Sequence, residues 1–280
     1  MVKTLPAQLF DELRKPVVGL CLCWRITSAT KGTFYFTNHD RAITRDTYTF
    51  DPSGAFTPSA VSQKEGLAVD NLSIMSIVSD SITEKDLMTG RFDDAEVQIW
   101  LCCWKNPAIS LLPIKRGNLG ELTSQGLKFE TEMRGLLEYF QRPMGRVMNL
   151  RCGWNFGDGD CQVALGPYTH TGEVVSNSDD RTFEVDLAQA DGYFKYGTLE
   201  FTSGDNDGFK TEVIDYVGDV VTLIELPPFP VVAADTVTGI RGCDKTLPTC
   251  RDSFSNVVRH GGFWWWPRET ELTNTPDSKG

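Results

Sequence analysis

Apolar residues in this chain alternate far more often than they recur at helical spacing. Leu20, Leu22, Trp24 and Ile26 share one parity and Cys21, Cys23 and Arg25 the other, which predicts a strand with two distinct faces. Phe34-Tyr35-Phe36 follows the Lys31-Gly32 turn and predicts the second arm of a hairpin. Further short strand patterns lie at Tyr48–Phe50, Phe56–Thr57, Leu72–Val78 and Glu96–Trp104. Five more follow at Gly172–Val175, Thr182–Asp186, Gly197–Phe201, Lys210–Ile214 and Val220–Leu223. Gly204–Gly208 reads as a hairpin turn, and Pro227-Pro228-Phe229-Pro230 punctuates a last crossing. Short strands without helices between them predict a mainly antiparallel β fold with little helix.

Helical spacing is confined to three places. Thr4–Leu13 carries Leu5, Leu9, Phe10 and Leu13 on one face, with Pro16 as its limit. Thr83 and Asp86 fit a capping box at the start of a short helix. Phe129–Phe140 has Met133, Leu136, Leu137 and Phe140 at helical positions, ended by Pro143-Met144-Gly145. The chain therefore divides into an N-terminal β-rich domain, barrel- or sandwich-like, over 1–148, a small C-terminal β-domain over 149–267 and a polar, flexible tail over 268–280.

Two cysteine pairs bracket that second domain. Cys152 and Cys161 lie in Arg-Cys-Gly-Trp-Asn-Phe-Gly-Asp-Gly-Asp-Cys, and Cys243 and Cys250 in Gly-Cys-Asp-Lys-Thr-Leu-Pro-Thr-Cys. Glycine, proline and aspartate around each pair predict tight loops that turn their sulfurs inward. A four-thiolate metal site is the first expectation, with disulfides and plain buried thiols as the alternatives. The loops are wider than the spacing of two to four residues usual for zinc ligands, which suits a bulky cluster better than a single ion. Trp154 and Phe156 supply an apolar shell for it.

Composition narrows the function classes. A net charge of −11 and a pI near 4.8 argue against a protein that wraps the nucleic-acid backbone. No apolar run is long enough to span a bilayer, and the start lacks the pattern of a signal peptide, so folding in a cytoplasm is expected.

The cysteine segments, continued as Cys161-Gln-Val and Cys250-Arg-Asp-Ser-Phe-Ser-Asn, resemble those of the tail-tip hub (baseplate) proteins of long-tailed phages and gene transfer agents, a group similar to the tail-tip protein of phage lambda. Phe36–Arg41, Leu67–Asn71, Ile82–Leu87, Gly117–Gly120 and Gly261–Phe263 fit the same resemblance, which covers residues 17 to 266. It implies a structural protein of the virion, assembled in the host bacterial cytoplasm, with a [4Fe–4S] cluster on Cys152, Cys161, Cys243 and Cys250. Zinc is the lesser alternative. It also implies a homotrimer that closes the tail tube, between a distal tail protein ring and a central fibre or receptor-binding protein. The rival classes are an iron–sulfur redox protein and a tail-associated cell-wall hydrolase.

Four features lie outside that pattern or invite another reading. Cys102-Cys103 sits on a strand that points the two thiols to opposite faces, and buried thiols are expected there and at Cys21 and Cys23. His39-Asp40 reads as a turn rather than part of a catalytic set, and no catalytic residue is expected. Asp158 and Asp160 read as turn-shaping residues rather than calcium ligands. Phe263, Trp264, Trp265 and Trp266 cannot all face one core, and aromatic anchors of this kind predict a contact with a partner.

Overall fold

The computed structural model describes residues 7–45, 47–52, 57–58, 72–77, 82–106, 108–125, 128–135, 138, 140 and 144–265. The chain forms two compact units, Met1–Pro143 and Met144–Gly280. It is mainly β, with few helices.

In the first unit, β1 (Leu20–Ser28), β2 (Gly32–Thr37), β5 (Thr57–Pro58), β6 (Leu72–Ile77), β7 (Glu96–Cys103), β8 (Leu112–Gln125) and β9 (Lys128–Gly135) build one sheet. Their order is β2-β1-β7-β8-β9-β6-β5, and every pairing is antiparallel. Of the barrel- or sandwich-like arrangements expected for this half, the barrel is not formed: the described strands make one open sheet with a separate two-stranded hairpin. Alternation along β1 does what the pattern predicts. Trp24 and Ile26 pack with Phe36, Phe92, Val97 and Met133 on one face. Cys21 and Cys23 join Trp100, Cys102, Ile43 and Phe50 on the other. The latter two come from a separate hairpin, β3 (Ile43–Arg45) and β4 (Tyr48–Phe50).

The short helices are α1 (Ala7–Leu13) and α2 (Glu84–Met88). The α2 capping box is present: the Thr83 side chain accepts from the Asp86 N–H, and the Asp86 carboxylate accepts in return from the Thr83 N–H. Two helical expectations need correction. In α1 Leu9 is buried, whereas Phe10 and Leu13 are exposed; Leu5 lies outside the described residues. Of the helix expected over 129–140, residues 129–135 are instead the strand β9, whose Met133 pairs with Leu72 on one side and Leu119 on the other, while Glu138 and Phe140 are helical. Met133 is fully buried there, so sheet packing overrides local helical spacing.

The second unit contains a closed barrel. Its strands are β10 (Thr169–Asp179), β11 (Thr182–Val185), β12 (Thr198–Phe201), β13 (Lys210–Val217), β14 (Val220–Leu223) and β15 (Thr236–Ile240). They close in the order β10-β11-β14-β13-β12-β15. One parity of each strand fills the interior with Phe183, Val185, Leu199, Phe201, Val213, Val221, Leu223 and Val237. The closing strand β15 was not apparent in the pattern. It contains Gly239, where a Cβ would meet the Phe194 ring at 2.9 Å, so an aromatic plug occupies the space a side chain would need. Asn206, in the expected turn, is fully buried and grips the proline-rich crossing: it donates to Phe229 O at 2.9 Å and accepts from Phe229 N at 3.0 Å.

Candidate metal centre

Barrel closure brings the two cysteine loops together. Thr169, at the start of β10, pairs with Ile240, at the end of β15. The first loop ends just before β10 and the second begins just after β15, so both leave from one edge of the barrel. Backbone bonds then join them: Arg241 N donates to Tyr168 O at 2.9 Å, and Cys152 N to Lys245 O at 2.8 Å.

Each loop is shaped from within. The Asp158 carboxylate accepts from the backbone N–H of Asn155, Asp160 and Cys161, at 2.8, 3.0 and 2.7 Å. Those bonds, led by that from Cys161, hold its carboxyl below the usual range and fix the turn that presents Cys161. In the second loop Thr246 caps α3 (Leu247–Asp252), accepting from Thr249 N, and Asp244 accepts from both Thr246 N and its hydroxyl at 2.9 Å. Cys250 sits on the buried side of α3.

Two side chains stitch one loop to the other. Lys245 Nζ donates to Trp154 O at 2.5 Å, and Asn256 Nδ2 donates to Cys161 O at 2.7 Å. Around them Phe156, Tyr168 and Phe254 form an aromatic wall, with Phe156 and Phe254 centroids 4.5 Å apart.

Cys152, Cys161, Cys243 and Cys250 line one small, partly open cavity with Trp154, Phe156, Val163 and Phe254. All eight cysteines of the chain are free thiols. No three of these four bring their sulfurs within 4.8 Å of one another. Thiolates about 2.3 Å from one zinc stand roughly 3.8 Å apart at tetrahedral corners, so the cavity is set wider than a single ion requires. N–H donors point at the sulfurs: Gly261 N lies 3.2 Å from Cys152 Sγ, and Asn256 Nδ2 3.8 Å from Cys161 Sγ. Gly261 has no room for a side chain, because a Cβ would meet the Trp154 indole nitrogen at 2.5 Å. Burial pushes the Cys243 thiol up, and it pushes Cys250 up to about 11 together with the charges of the other three sulfurs. Four thiolates this close repel one another, and a cationic centre between them would remove that cost. Soft donors, an apolar wall and N–H groups on sulfur fit an iron–sulfur cluster.

The comparisons with known proteins agree on the class of molecule. Residues 6–164 match the family described as "Baseplate hub protein, N-terminal attachment domain", which is more than half of the chain. The chain belongs to the baseplate hub proteins. Residues 192–270 of the hub match a second family, described as "Phage conserved hypothetical protein BR0599". A solved chain from the virion of a native gene transfer agent particle superposes with a TM-score of 0.84 at 30% identity, covering 98% of the hub and 97% of that chain. No curated protein matches it by sequence. The hub is thus a structural component of a virion, placed at the tail tip.

The remaining predicted positions divide. Trp264 and Trp265 are 56% and 62% exposed and stand edge to face, whereas Phe263 is half-buried with the Arg146 guanidinium 5.1 Å from its ring centre. Trp266 lies outside the described residues. His39 serves its turn, accepting from Arg41 N at 3.1 Å. Cys102 and Cys103 do face opposite sides, in separate apolar clusters.

Sequence reasoning missed the donors Asn256 and Gly261, whose roles depend on loop packing. It also missed that Cys21, Cys23 and Cys102 converge. Cys21 and Cys102 are register partners across β1 and β7, Cys23 lies two residues along the same face, and the three sulfurs are within 4.8 Å of one another. Such a group can bind a metal. Hydrogen bonds from the Cys21 and Cys23 thiols hold Cys102 down, aided by the Arg45 guanidinium, and the same bonds with burial push Cys21 and Cys23 up.

Proposed function

We propose that this hub closes the distal end of the tail tube and that Cys152, Cys161, Cys243 and Cys250 hold a structural [4Fe–4S] cluster. The observation that carries the cluster is four thiols lining one cavity, no three of whose sulfurs lie within 4.8 Å of one another, with N–H donors on two of them. Zinc would need the sulfurs to contract. When bound, the cluster supplies four iron–thiolate bonds that tie residue 152 to residue 250, closing a loop of roughly a hundred residues and so stabilising the barrel much as a metal does in a small domain. The chain's own part is to hold the thiols apart, exclude water with Trp154, Phe156 and Phe254, and direct N–H groups at sulfur. No catalytic residue is required.

On the same reading the hub is a homotrimer. Its N-terminal unit meets the ring of the distal tail protein, and its C-terminal unit meets the central receptor-binding or penetration protein. Full-length likeness to a virion chain supports a place among other tail proteins, and the exposure of Trp264 and Trp265 supports Phe263–Trp266 as a partner contact. The test is assembly of virions carrying Cys243→Ser. Tails that lack a stable tip are expected, and normal tails that eject DNA normally would overturn the structural role of the site.

A further inference from the structure

The tight trio in the first unit poses a different problem from the wide quartet in the second. Cys21, Cys23 and Cys102 are 5%, 0% and 0% exposed, which shuts out bulk water as a ligand. Their sulfurs lie within 4.8 Å of one another, close to the roughly 4 Å separation that three thiolates adopt around one ion at metal–sulfur distances near 2.3 Å. Among the described residues no cysteine, histidine or carboxylate supplies a fourth ligand to the group. A structural zinc takes four protein ligands, so the trio is one short. A cluster of several irons would not fit between sulfurs this close.

A second observation concerns charge. Arg45 reaches the same region from β3: its Nη2 donates to Cys103 O at 2.8 Å. Its Nε is buried and has no hydrogen-bond partner. A buried guanidinium nitrogen left unpaired costs free energy unless an acceptor or anion faces it. A metal–thiolate centre beside it carries the net negative charge that would face this nitrogen.

We infer that Cys21, Cys23 and Cys102 form a three-coordinate site for one soft d10 cation, copper(I), with Arg45 as its counter-charge. Thiolate ligands suit copper(I), zinc and iron–sulfur clusters, and of these copper(I) is the one satisfied by three thiolates. Binding sends the thiol protons to solvent and leaves two negative charges in excess, one of which the guanidinium offsets. The ion would brace β1 against β7 at the point where Ile43 and Phe50 of the β3–β4 hairpin pack over the sheet. The site is independent of the four-cysteine centre and of what that centre holds.

The experiment loads anaerobically purified full-length chain with copper(I) and then challenges it with excess bathocuproine disulfonate. Wild type is compared with Cys102→Ala, Cys103→Ala and Cys250→Ser. Cys103→Ala is the matched control, because it deletes a neighbouring buried thiol from the opposite face of the same strand. Relative to the other three proteins, Cys102→Ala should lose about one copper per chain. X-ray absorption of the chelator-resistant copper in wild type should show a three-sulfur shell, a reading that holds even if Cys102→Ala fails to fold. Copper retained fully by Cys102→Ala, or lost with Cys250→Ser instead, would overturn the assignment. So would a two-sulfur shell, or no chelator-resistant copper in wild type.

Discussion

Asn256 joins the two cysteine loops, and replacing it measures what that joint contributes. Its Nδ2 donates to Cys161 O at 2.7 Å, and its own carbonyl accepts from the Cys250 thiol at 3.3 Å. Asn256→Ala removes the first bond and keeps the second, leaving the partly buried Cys161 carbonyl unpaired. A lost neutral hydrogen bond with an orphaned acceptor costs about 1–2 kcal/mol. For a cooperative unit the size of the second one, that cost lowers Tm by roughly 3–8 °C. Asn256→Asp keeps the shape and removes the N–H donor. It also places a carboxylate beside Cys161, so it should destabilise more than alanine. Near-ultraviolet circular dichroism, which reports on Trp154 beside the site, follows the transition in protein stripped of metal under reducing conditions. Equal Tm values for wild type and both variants would refute the idea that this side chain holds the loops together. Alanine proving more damaging than aspartate would refute the electrostatic part.

Other positions give independent checks. Asn206→Leu removes both bonds to the Phe229 backbone from a fully buried site and should cost about 2–4 kcal/mol in urea unfolding; a change below about 0.5 kcal/mol would mean the proline crossing is held by packing alone. Burial raises the Asp86 carboxyl, but hydrogen bonds from Lys31 and Thr83 and the Lys31 charge outweigh it, so its pKa is lowered on folding. Its stabilisation is therefore present above the ordinary carboxylate range and is lost as pH falls through the lowered value. Asp86→Asn should cost about 1–3 kcal/mol at neutral pH, with the gap to wild type closing in acid; a gap independent of pH would contradict this. Trp265→Ala changes an exposed side chain, so it should leave stability within about 0.5 kcal/mol while weakening self-association in sedimentation experiments; unchanged association would remove this residue from the contact.

The sequence was most legible where one parity of a strand is buried and the other wet. The two faces of β1 and the five barrel strands from Gly172 to Leu223 could be read for that reason. β9 could not, because one helical spacing runs from Phe129 through to Glu138 and Phe140, which are helical, while the sheet pairing that buries Met133 comes from Leu72 and Leu119, both distant in sequence. β8 and β15 were hidden by glycines whose side-chain space is filled by other parts of the fold: at Gly117 a Cβ would collide with the Arg134 carbonyl, and at Gly239 with Phe194. The four cysteines stood out because their loops advertise turns, and the structure gathers them in one cavity. Nothing local in the chain announced Asn256 or Gly261, or that a strand register would set Cys102 against Cys21.

Iron, acid-labile sulfide and zinc content of protein purified without oxygen tests the central claim most directly. The account predicts about four irons and four sulfides per chain, with both lost on Cys250→Ser while the chain remains folded. One zinc without sulfide, or no metal in freshly prepared anaerobic protein, would contradict it.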